Sequence, residues 1–324
     1  MKRIAVFTSG GDAPGMNACI RAVVRGGIYY GLEVYGIIRG YKGMIEGDFI
    51  KMDSKMVSNI IQRGGTILKS ARSEEFRTKV GREKAYQQIK AHHIDGLVCI
   101  GGNGSFTGAE IFYQEYGVPT VGVAGTIDND LYGTDYTLGY DTAVNTALDA
   151  IDKIRDTADS HDRVFFIEVM GRDSGYIAIQ SGIGGGAEIV MVPENPDTFE
   201  GVVETLAQAT RSTRRSSSIV IVAEGEELGN AHTIAEHVKS KLPYLDIRVT
   251  NLGHIQRGGK PTAIDRLLGS RLGLAAVEGL IEGRACVMAG IVNDKVVYTP
   301  FGDAIRKKKP LNTDLIKLVN ILSI

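Results

Sequence analysis

Two aspartates two positions apart carry the strongest chemical signal in this sequence. They stand in Gly125-Thr126-Ile127-Asp128-Asn129-Asp130, directly after the apolar run Pro119-Thr120-Val121-Gly122-Val123. Carboxylates at i and i+2 in a turn that leaves a buried strand can face one cleft. One can accept the proton of an attacking hydroxyl while the other orients it or helps to hold a metal. An Asx-turn network would use the same residues equally well, because Asp and Asn side chains bond to their own turns.

Two glycine loops supply what such a base would need, a seat for phosphates. Thr8-Ser9-Gly10-Gly11-Asp12-Ala13-Pro14-Gly15-Met16-Asn17 follows the first apolar run. Gly10 and Gly11 expose backbone amides, and a helix from about Gly15 points its positive end at the same place, with Asp12 or Asn17 as its cap. The loop is neither a Walker A sequence nor G-x-G-x-x-G, and a tight turn without ligand would also explain it. The second loop, Gly101-Gly102-Asn103-Gly104-Ser105-Phe106-Thr107-Gly108, follows Leu97-Val98-Cys99-Ile100 and opens a helix at Ser105. Two such loops on neighbouring strands can hold one polyphosphate between them.

Cations recur around these loops. Arg72 lies in a polar segment after Gly64-Gly65-Thr66, where it is either solvated or turned toward a transferring phosphoryl group. Arg163 opens a strand that Met170-Gly171-Arg172 closes, Glu224 ends another, and Arg248 lies in 246–250 ahead of Gly253-His254-Ile255-Gln256-Arg257-Gly258-Gly259. Guanidinium forks suit phosphate oxygens, and several together imply an anionic sugar ligand.

The elements that must position these residues alternate. Strands are expected at 3–8, 33–38, 95–100, 119–123, 164–169, 188–192, 218–223 and 286–292, most of them apolar on both faces. Helices are expected near 15–30, 82–92, 105–115, 141–158, 198–210, 231–241 and 263–282. This rhythm implies an α/β fold with mainly parallel sheets and ligands at the strand ends. The chain has 324 residues, 43% of them hydrophobic, which exceeds the usual size of one core, so two domains are expected. Their junction falls near 139–145, with a return near 254. A net charge of −1 gives no global attraction to nucleic acid or acidic membranes. Cys19, Cys99 and Cys286 are far apart and fit no metal or C-x-x-C spacing, which suits reduced thiols in a cytoplasmic protein. The apolar run at the N-terminus is too short for a signal peptide, and no stretch approaches a membrane span.

Five blocks together carry a family resemblance: residues 8–17, the Gly102 loop, residues 125–130, Glu168-Val169-Met170-Gly171-Arg172, and Leu252-Gly253-His254-Ile255-Gln256-Arg257-Gly258-Gly259. In this order and spacing the chain resembles bacterial ATP-dependent 6-phosphofructokinases over nearly its whole length. The resemblance implies two Rossmann-like αβα domains with the active site in the cleft between them. The larger, 1–140 plus 255–305, would bind ATP; the smaller, 141–254 plus 306–324, would bind fructose 6-phosphate. Asp128 would be the base for the sugar 1-hydroxyl, flanked by Thr126 and Asp130, with Arg72 and Arg172 around the transferring phosphoryl. Gly11, Arg72, Ser73, Gly102, Asn103, Gly104, Ser105 and Gly108 would form the ATP site. Met170, Gly171, Glu224, His254 and Arg257 would contact the sugar phosphate, while Arg163 and Arg248 would reach into a neighbouring subunit of a homotetramer. Arg21, Arg25, Arg155, Glu188 and the cluster Arg211, Arg214, Arg215 resemble positions that bind ADP or phosphoenolpyruvate as effectors, although solvated helix charge would look the same.

Two details bear on donor and metal. Pyrophosphate-dependent relatives carry Asp at the position of Gly104 and Lys at that of Gly125, so both glycines favour ATP. The family usually has Asp at the position of Asn103, where it helps to hold Mg²⁺. Asn keeps an oxygen there but loses a charge, which shifts the metal toward Asp130, Asp128 or ATP itself. A pyrophosphate-dependent enzyme and a non-catalytic sensor of sugar phosphates are the competing readings. A dinucleotide oxidoreductase lacks its glycine fingerprint.

Overall fold

The computed structural model describes residues 1–212 and 217–322. The chain forms two compact units: Met1–Ile127 with Leu131–Thr142 and Arg257–Lys309, and Asp128–Asp130 with Ala143–Gln256 and Pro310–Ile324.

The first unit is built on a seven-stranded sheet. Its elements in chain order are β1 (Arg3–Thr8), α1 (Met16–Tyr29), β2 (Glu33–Ile37), α2 (Gly40–Glu46), β3 (Phe49–Met52), α3 (Lys79–Ala91), β4 (Gly96–Gly101), α4 (Asn103–Tyr116), β5 (Thr120–Ala124) and the start of α5 (Tyr140–His161). The chain continues into the second unit along α5. That unit holds β6 (Arg163–Val169), α6 (Tyr176–Gly184), β7 (Ile189–Met191), α7 (Phe199–Ser212), β8 (Ser218–Ala223), α8 (Ala231–Lys241) and β9 (Asp246–Asn251). The first unit resumes with α9 (Ala263–Ile281), β10 (Val287–Val292), β11 (Lys295–Pro300) and α10 (Phe301–Arg306), and α11 (Thr313–Leu322) ends the second.

The larger sheet runs β11-β10-β5-β4-β1-β2-β3, and the four-stranded sheet runs β7-β8-β6-β9. The inner strands pair in parallel, and among the described strands the edge pairs β2–β3 and β10–β11 are antiparallel. Strands β1, β4, β5 and β8 are buried along nearly their whole length because helices cover both faces, which is why they read as unbroken apolar runs. The C-terminal ends of β1, β4 and β5 lie side by side, with Thr8 opposite Ile100 and Gly101 opposite Ala124. Both glycine loops and the 125–127 segment therefore leave one edge of the sheet.

Sequence periodicity passed over α2, β3, α6, β11, α10 and α11. α6 is nearly all apolar and glycine, so it has no polar stripe to mark it. β11 is an edge strand whose hairpin turns at Asn293 and Asp294, both left-handed, with Val292 opposite Lys295. No described helix is long and apolar enough to cross a membrane.

Candidate active site

In the first unit, the Ser9 amide donates to the Ile100 carbonyl at 3.0 Å and locks the first glycine loop to the end of β4. A Cβ on Gly101 would come within 2.6 Å of the Ser9 carbonyl oxygen, so the two loops touch backbone to backbone. α1 begins at Met16 behind a left-handed Gly15 that makes no side-chain cap. Neither Asp12 nor Asn17 caps it, contrary to the sequence expectation. Asn17 is instead buried inside the helix. Its Nδ2 donates to the carbonyls of Arg63 and Gly64 at 3.0 and 3.1 Å, and its Oδ1 accepts the Ile67 amide at 2.8 Å.

α4 starts at Asn103, two residues before the expected Ser105. Gly102 takes the extended cap conformation, and its carbonyl accepts the Ser105 and Phe106 amides at 3.0 and 3.1 Å, which puts Ser105 inside the first turn. Asn103 thus stands at the positive end of this helix. A Cβ on Gly104 would meet nothing within 4 Å, so the fold itself does not demand glycine there. Gly125 differs, because a Cβ would lie 2.8 Å from Met16 Cε and 3.0 Å from Ile100 Cγ2. A Cβ on Gly108 would lie 3.2–3.3 Å from the Tyr41 side chain, whose hydroxyl donates to the Ser105 carbonyl at 2.6 Å.

The 63–73 segment closes on the same edge. The Thr8 hydroxyl donates to the Lys69 carbonyl at 2.7 Å, and the Ser70 hydroxyl to the Gly10 carbonyl at 2.6 Å. Arg72 projects beyond this anchorage, exposed and without an ion pair among the described residues. Ser73 Oγ accepts the Phe76 amide at 3.3 Å. Arg257 lies against Gly11: a Cβ on the glycine would be 2.8 Å from its Nη1. The structure therefore joins a residue expected at the sugar phosphate to one expected at the donor. Sequence reasoning missed Tyr41 and Phe76, whose rings stack with centroids 3.9 Å apart and link the Gly108 turn to the Ser73 turn. Both are buried and isolated in sequence, so nothing in the local pattern marked them.

In the second unit, Asp128 and Asn129 are buried, and Asn129 is left-handed with φ 54°. The Ser174 hydroxyl donates to the Asp128 carbonyl at 2.6 Å, and Arg172 Nε stands 3.6 Å from Asp128 Oδ2. Arg172 is itself left-handed, with φ 51°, a conformation that costs a residue with a Cβ roughly 1 kcal/mol. Glu224 offsets that cost by accepting the amides of Gly171 and Arg172 at 3.3 and 3.1 Å. Gly225 permits the approach, since a Cβ there would be 2.1 Å from the Arg172 carbonyl oxygen. Glu224 thus acts on the turn that aims Arg172 at Asp128. Met170 is half-buried ahead of this turn, and His254 is exposed in a short 3₁₀ turn after β9. Tyr176, also missed, faces Asp130 and Glu194; burial first, then these carboxylates, push its phenol up to about 12.

Arg163 and Arg248 come together around Asp246, with Arg163 Nε at 2.8 Å and Arg248 Nη2 at 3.0 Å. Arg163, foremost by its hydrogen bond, holds the Asp246 carboxyl below its ordinary range. This cluster sits where β6 begins, at the opposite end of the strand from Arg172, roughly 20 Å away at the rise of a strand. Arg155 donates to the Gly185 and Gly186 carbonyls at 2.7 and 2.6 Å and lies 3.8 Å from Glu188, so it caps the end of α6. Arg21 and Arg25 lie one turn apart on α1. Arg214 and Arg215 lie outside the described residues, as does the side chain of Arg211.

Among the described residues, no group of three or more His, Cys, Asp or Glu side chains could hold a metal. A magnesium ion carried chiefly by substrate phosphates needs no such cage, and Asn103 with its neutral oxygen fits that supporting role.

A family model described as phosphofructokinase matches residues 3–280. The chain is 66% identical over 323 residues to an ATP-dependent 6-phosphofructokinase of Cytophaga hutchinsonii, covering 100% of this chain and 98% of that one. It is 57% identical over 324 residues to ATP-dependent 6-phosphofructokinase 1 of Thermus thermophilus, covering 100% of both. Phosphofructokinase from Saccharomyces cerevisiae superposes with a TM-score of 0.90 at 35% identity, over 100% of this chain and 47% of the yeast chain. A pyrophosphate-dependent phosphofructokinase of Nitrosospira multiformis superposes at 0.87 over 100% of this chain and 92% of that one; at 21% identity this is a likeness of fold alone. Matched along its length by the family model and by full-length relatives, this chain belongs to the phosphofructokinase family.

Proposed function

We propose that this chain transfers the γ-phosphoryl group of ATP to the 1-hydroxyl of fructose 6-phosphate, yielding fructose 1,6-bisphosphate and ADP. The observation that carries the reading is Arg172 beside Asp128 on a strained turn held by Glu224. Full-length relatives named for the ATP-dependent reaction support the choice of donor. Gly104 supports it too, since a Cβ there would meet no protein atom within 4 Å and the space is open to a donor phosphate.

The reaction needs little covalent help from the protein, so positioning and charge neutralisation dominate. Asp128 accepts the proton of the 1-hydroxyl at its carboxylate as oxygen attacks phosphorus. Arg172, and Arg72 from the donor side, meet charge on the equatorial phosphoryl oxygens. Backbone amides around Gly11 and Gly102 receive donor phosphates, and Ser73, Ser105 and Gly108 line the nucleotide. Thr126, Asp130, Met170, Gly171, His254 and Arg257 orient the sugar phosphate. Asn103 and Asp130 would be the residues to hold a Mg²⁺ ion bound with ATP, which would supply neutralising charge to the phosphates.

Arg163 and Arg248 serve the active site of another copy in a homotetramer, a reading supported by their distance from Arg172 along β6. Regulation by ADP and phosphoenolpyruvate through Arg21, Arg25, Arg155 and Glu188, and a cytoplasmic setting, belong to the same proposal. A coupled assay with ATP and pyrophosphate side by side, across a Mg²⁺ series, tests donor and metal together. Turnover is expected with ATP alone. An Asn103→Asp variant is expected to reach half-maximal rate at lower Mg²⁺, and an unchanged titration would remove Asn103 from the metal.

A further inference from the structure

Asp265 is fully buried in the first turn of α9 and has no cationic partner among the described residues. Its Oδ1 accepts the Gly139 amide at 2.8 Å, and its Oδ2 accepts the amide and the hydroxyl of Thr142 at 2.9 and 2.5 Å. The Thr142 hydroxyl in turn accepts the Thr262 amide at 3.1 Å. α5 and α9 thus cap each other, each lending an oxygen to amides that the other's first turn leaves open. A buried carboxylate is costly unless its oxygens are bonded. Three donors and the positive ends of two helices meet that need.

The amide on Oδ1 matters because of where Gly139 sits. Its φ is 94°, and a Cβ would lie 2.7 Å from Ala13 Cβ, 3.0 Å from Pro14 Cδ and 3.2 Å from Ile127 Cγ2. Gly139 is therefore wedged between the first glycine loop and the residue that precedes Asp128. The residues just before it splint the same segment. The Thr137 hydroxyl donates to the Thr126 carbonyl at 2.6 Å, and the Leu138 amide to the Ala124 carbonyl at 2.8 Å. Asp265 also backs the glycine loop directly, since a Cβ on Gly15 would be 3.1 Å from its carbonyl oxygen.

We propose that Asp265 is a positioning residue for phosphoryl transfer. Its buried carboxylate fixes Gly139, and through it the spacing between the glycine loop at 10–15 and the 124–127 segment that leads into the base. It touches neither substrate. The inference rests on the assignment of Asp128 as base and of the glycine loop as a phosphate seat. Small displacements of reacting groups cost far more rate than affinity, so the mark of this role is a loss confined to kcat.

Asp265→Asn keeps the volume but turns an NH₂ donor toward an amide that also donates. We expect kcat to fall roughly 10- to 100-fold, with KM for ATP and fructose 6-phosphate within about threefold. Thr198→Ala is the matched control. It removes the hydroxyl that accepts the Gly201 amide at the start of α7, and should lower thermal stability without lowering kcat. An Asp265→Asn protein that melts early yet keeps kcat within about twofold makes the carboxylate a cap and nothing more. Should Asp265→Asn fail to fold, Thr142→Val removes one bond to Oδ2 and Thr142→Ser keeps it. The valine variant is expected to lose kcat selectively and the serine variant to restore most of it; equal rates would overturn the proposal. Hydrogen exchange needs no turnover. In Asp265→Asn or Thr142→Val it should rise in both 10–16 and 124–140, and unchanged exchange there would refute the positioning role even if the wild type proved to use another substrate. An inactive wild type with the expected exchange pattern would count against the assigned reaction alone.

Discussion

Arg172 Nε lies 3.6 Å from Asp128 Oδ2, an arginine side chain 61% exposed beside an aspartate side chain only 3% exposed. The separation is ionic but longer than a hydrogen bond. In the proposed reaction, an exposed cation beside a buried carboxylate can turn toward an arriving phosphoryl group while the carboxylate keeps its place. Because Glu224 and Gly225 hold the Arg172 backbone, that swing is confined to the side chain.

Asp128→Asn removes the proposed proton acceptor and little else. Turnover should drop by roughly 10²- to 10⁴-fold, while the ATP dissociation constant stays within about twofold. Steady-state kinetics with equilibrium nucleotide binding checks this, and retained turnover would remove Asp128 from the role of base.

Gly11→Ala tests the contact with Arg257. The new methyl would lie 2.8 Å from a guanidinium nitrogen, the far end of a flexible side chain, so the fold should survive. We expect KM for fructose 6-phosphate to rise about tenfold. The double variant with Arg257→Ala should be no worse in that parameter than Arg257→Ala alone. Additive effects would mean that the two residues act separately.

Gly104 and Gly125 should respond differently to substitution. Gly104→Asp meets open space, so melting should shift little while KM for ATP rises. Gly125→Lys meets Met16 and Ile100, and overpacking of this kind costs about 1–3 kcal/mol. Thermal melting and ATP kinetics on the two variants separate a glycine kept for a ligand from one required by packing. Equal destabilisation would contradict the distinction.

Glu226 gives a pH test of stability. Burial first, with Asp197 nearby, raises its carboxyl above the ordinary value, and its Oε2 has no hydrogen-bond partner among the described residues. A folded-state pKa above the unfolded one means a contribution fully present below the unfolded pKa and lost as pH rises through the folded pKa. Glu226→Gln should therefore raise the melting temperature by about 2 °C near neutral pH and by nothing in acid, where the wild-type carboxyl is already protonated. The same gain at both pH values would show that charge is not the cause.

Elements with a periodic signature were legible in the sequence. The run from Gly96 to Gly101 could be little but a buried parallel strand, and the loop that follows it could be little but a helix start. The candidate chemical residues stood out because glycine, aspartate and arginine are conspicuous at strand ends. What stayed hidden depends on contacts distant in sequence. Arg257 reaching Gly11, the Tyr41–Phe76 stack and the seat of Asp265 against Gly139 each join segments that no local pattern connects. Asn17 shows the same limit on a small scale. Its type suggested a cap, but the loop at 63–67 takes all its hydrogen bonds.

Where Gly64 meets Gly259, a Cβ on the first would stand 2.2 Å from the carbonyl oxygen of the second. Neither backbone has room to drift without the other. The loop carrying Arg72 and the loop following Arg257 therefore pack backbone to backbone at this point. With Arg72 and Arg257 in their proposed roles, laboratory selection for a new phosphoryl donor should return compensating changes on the acceptor side, because the two loops share this contact.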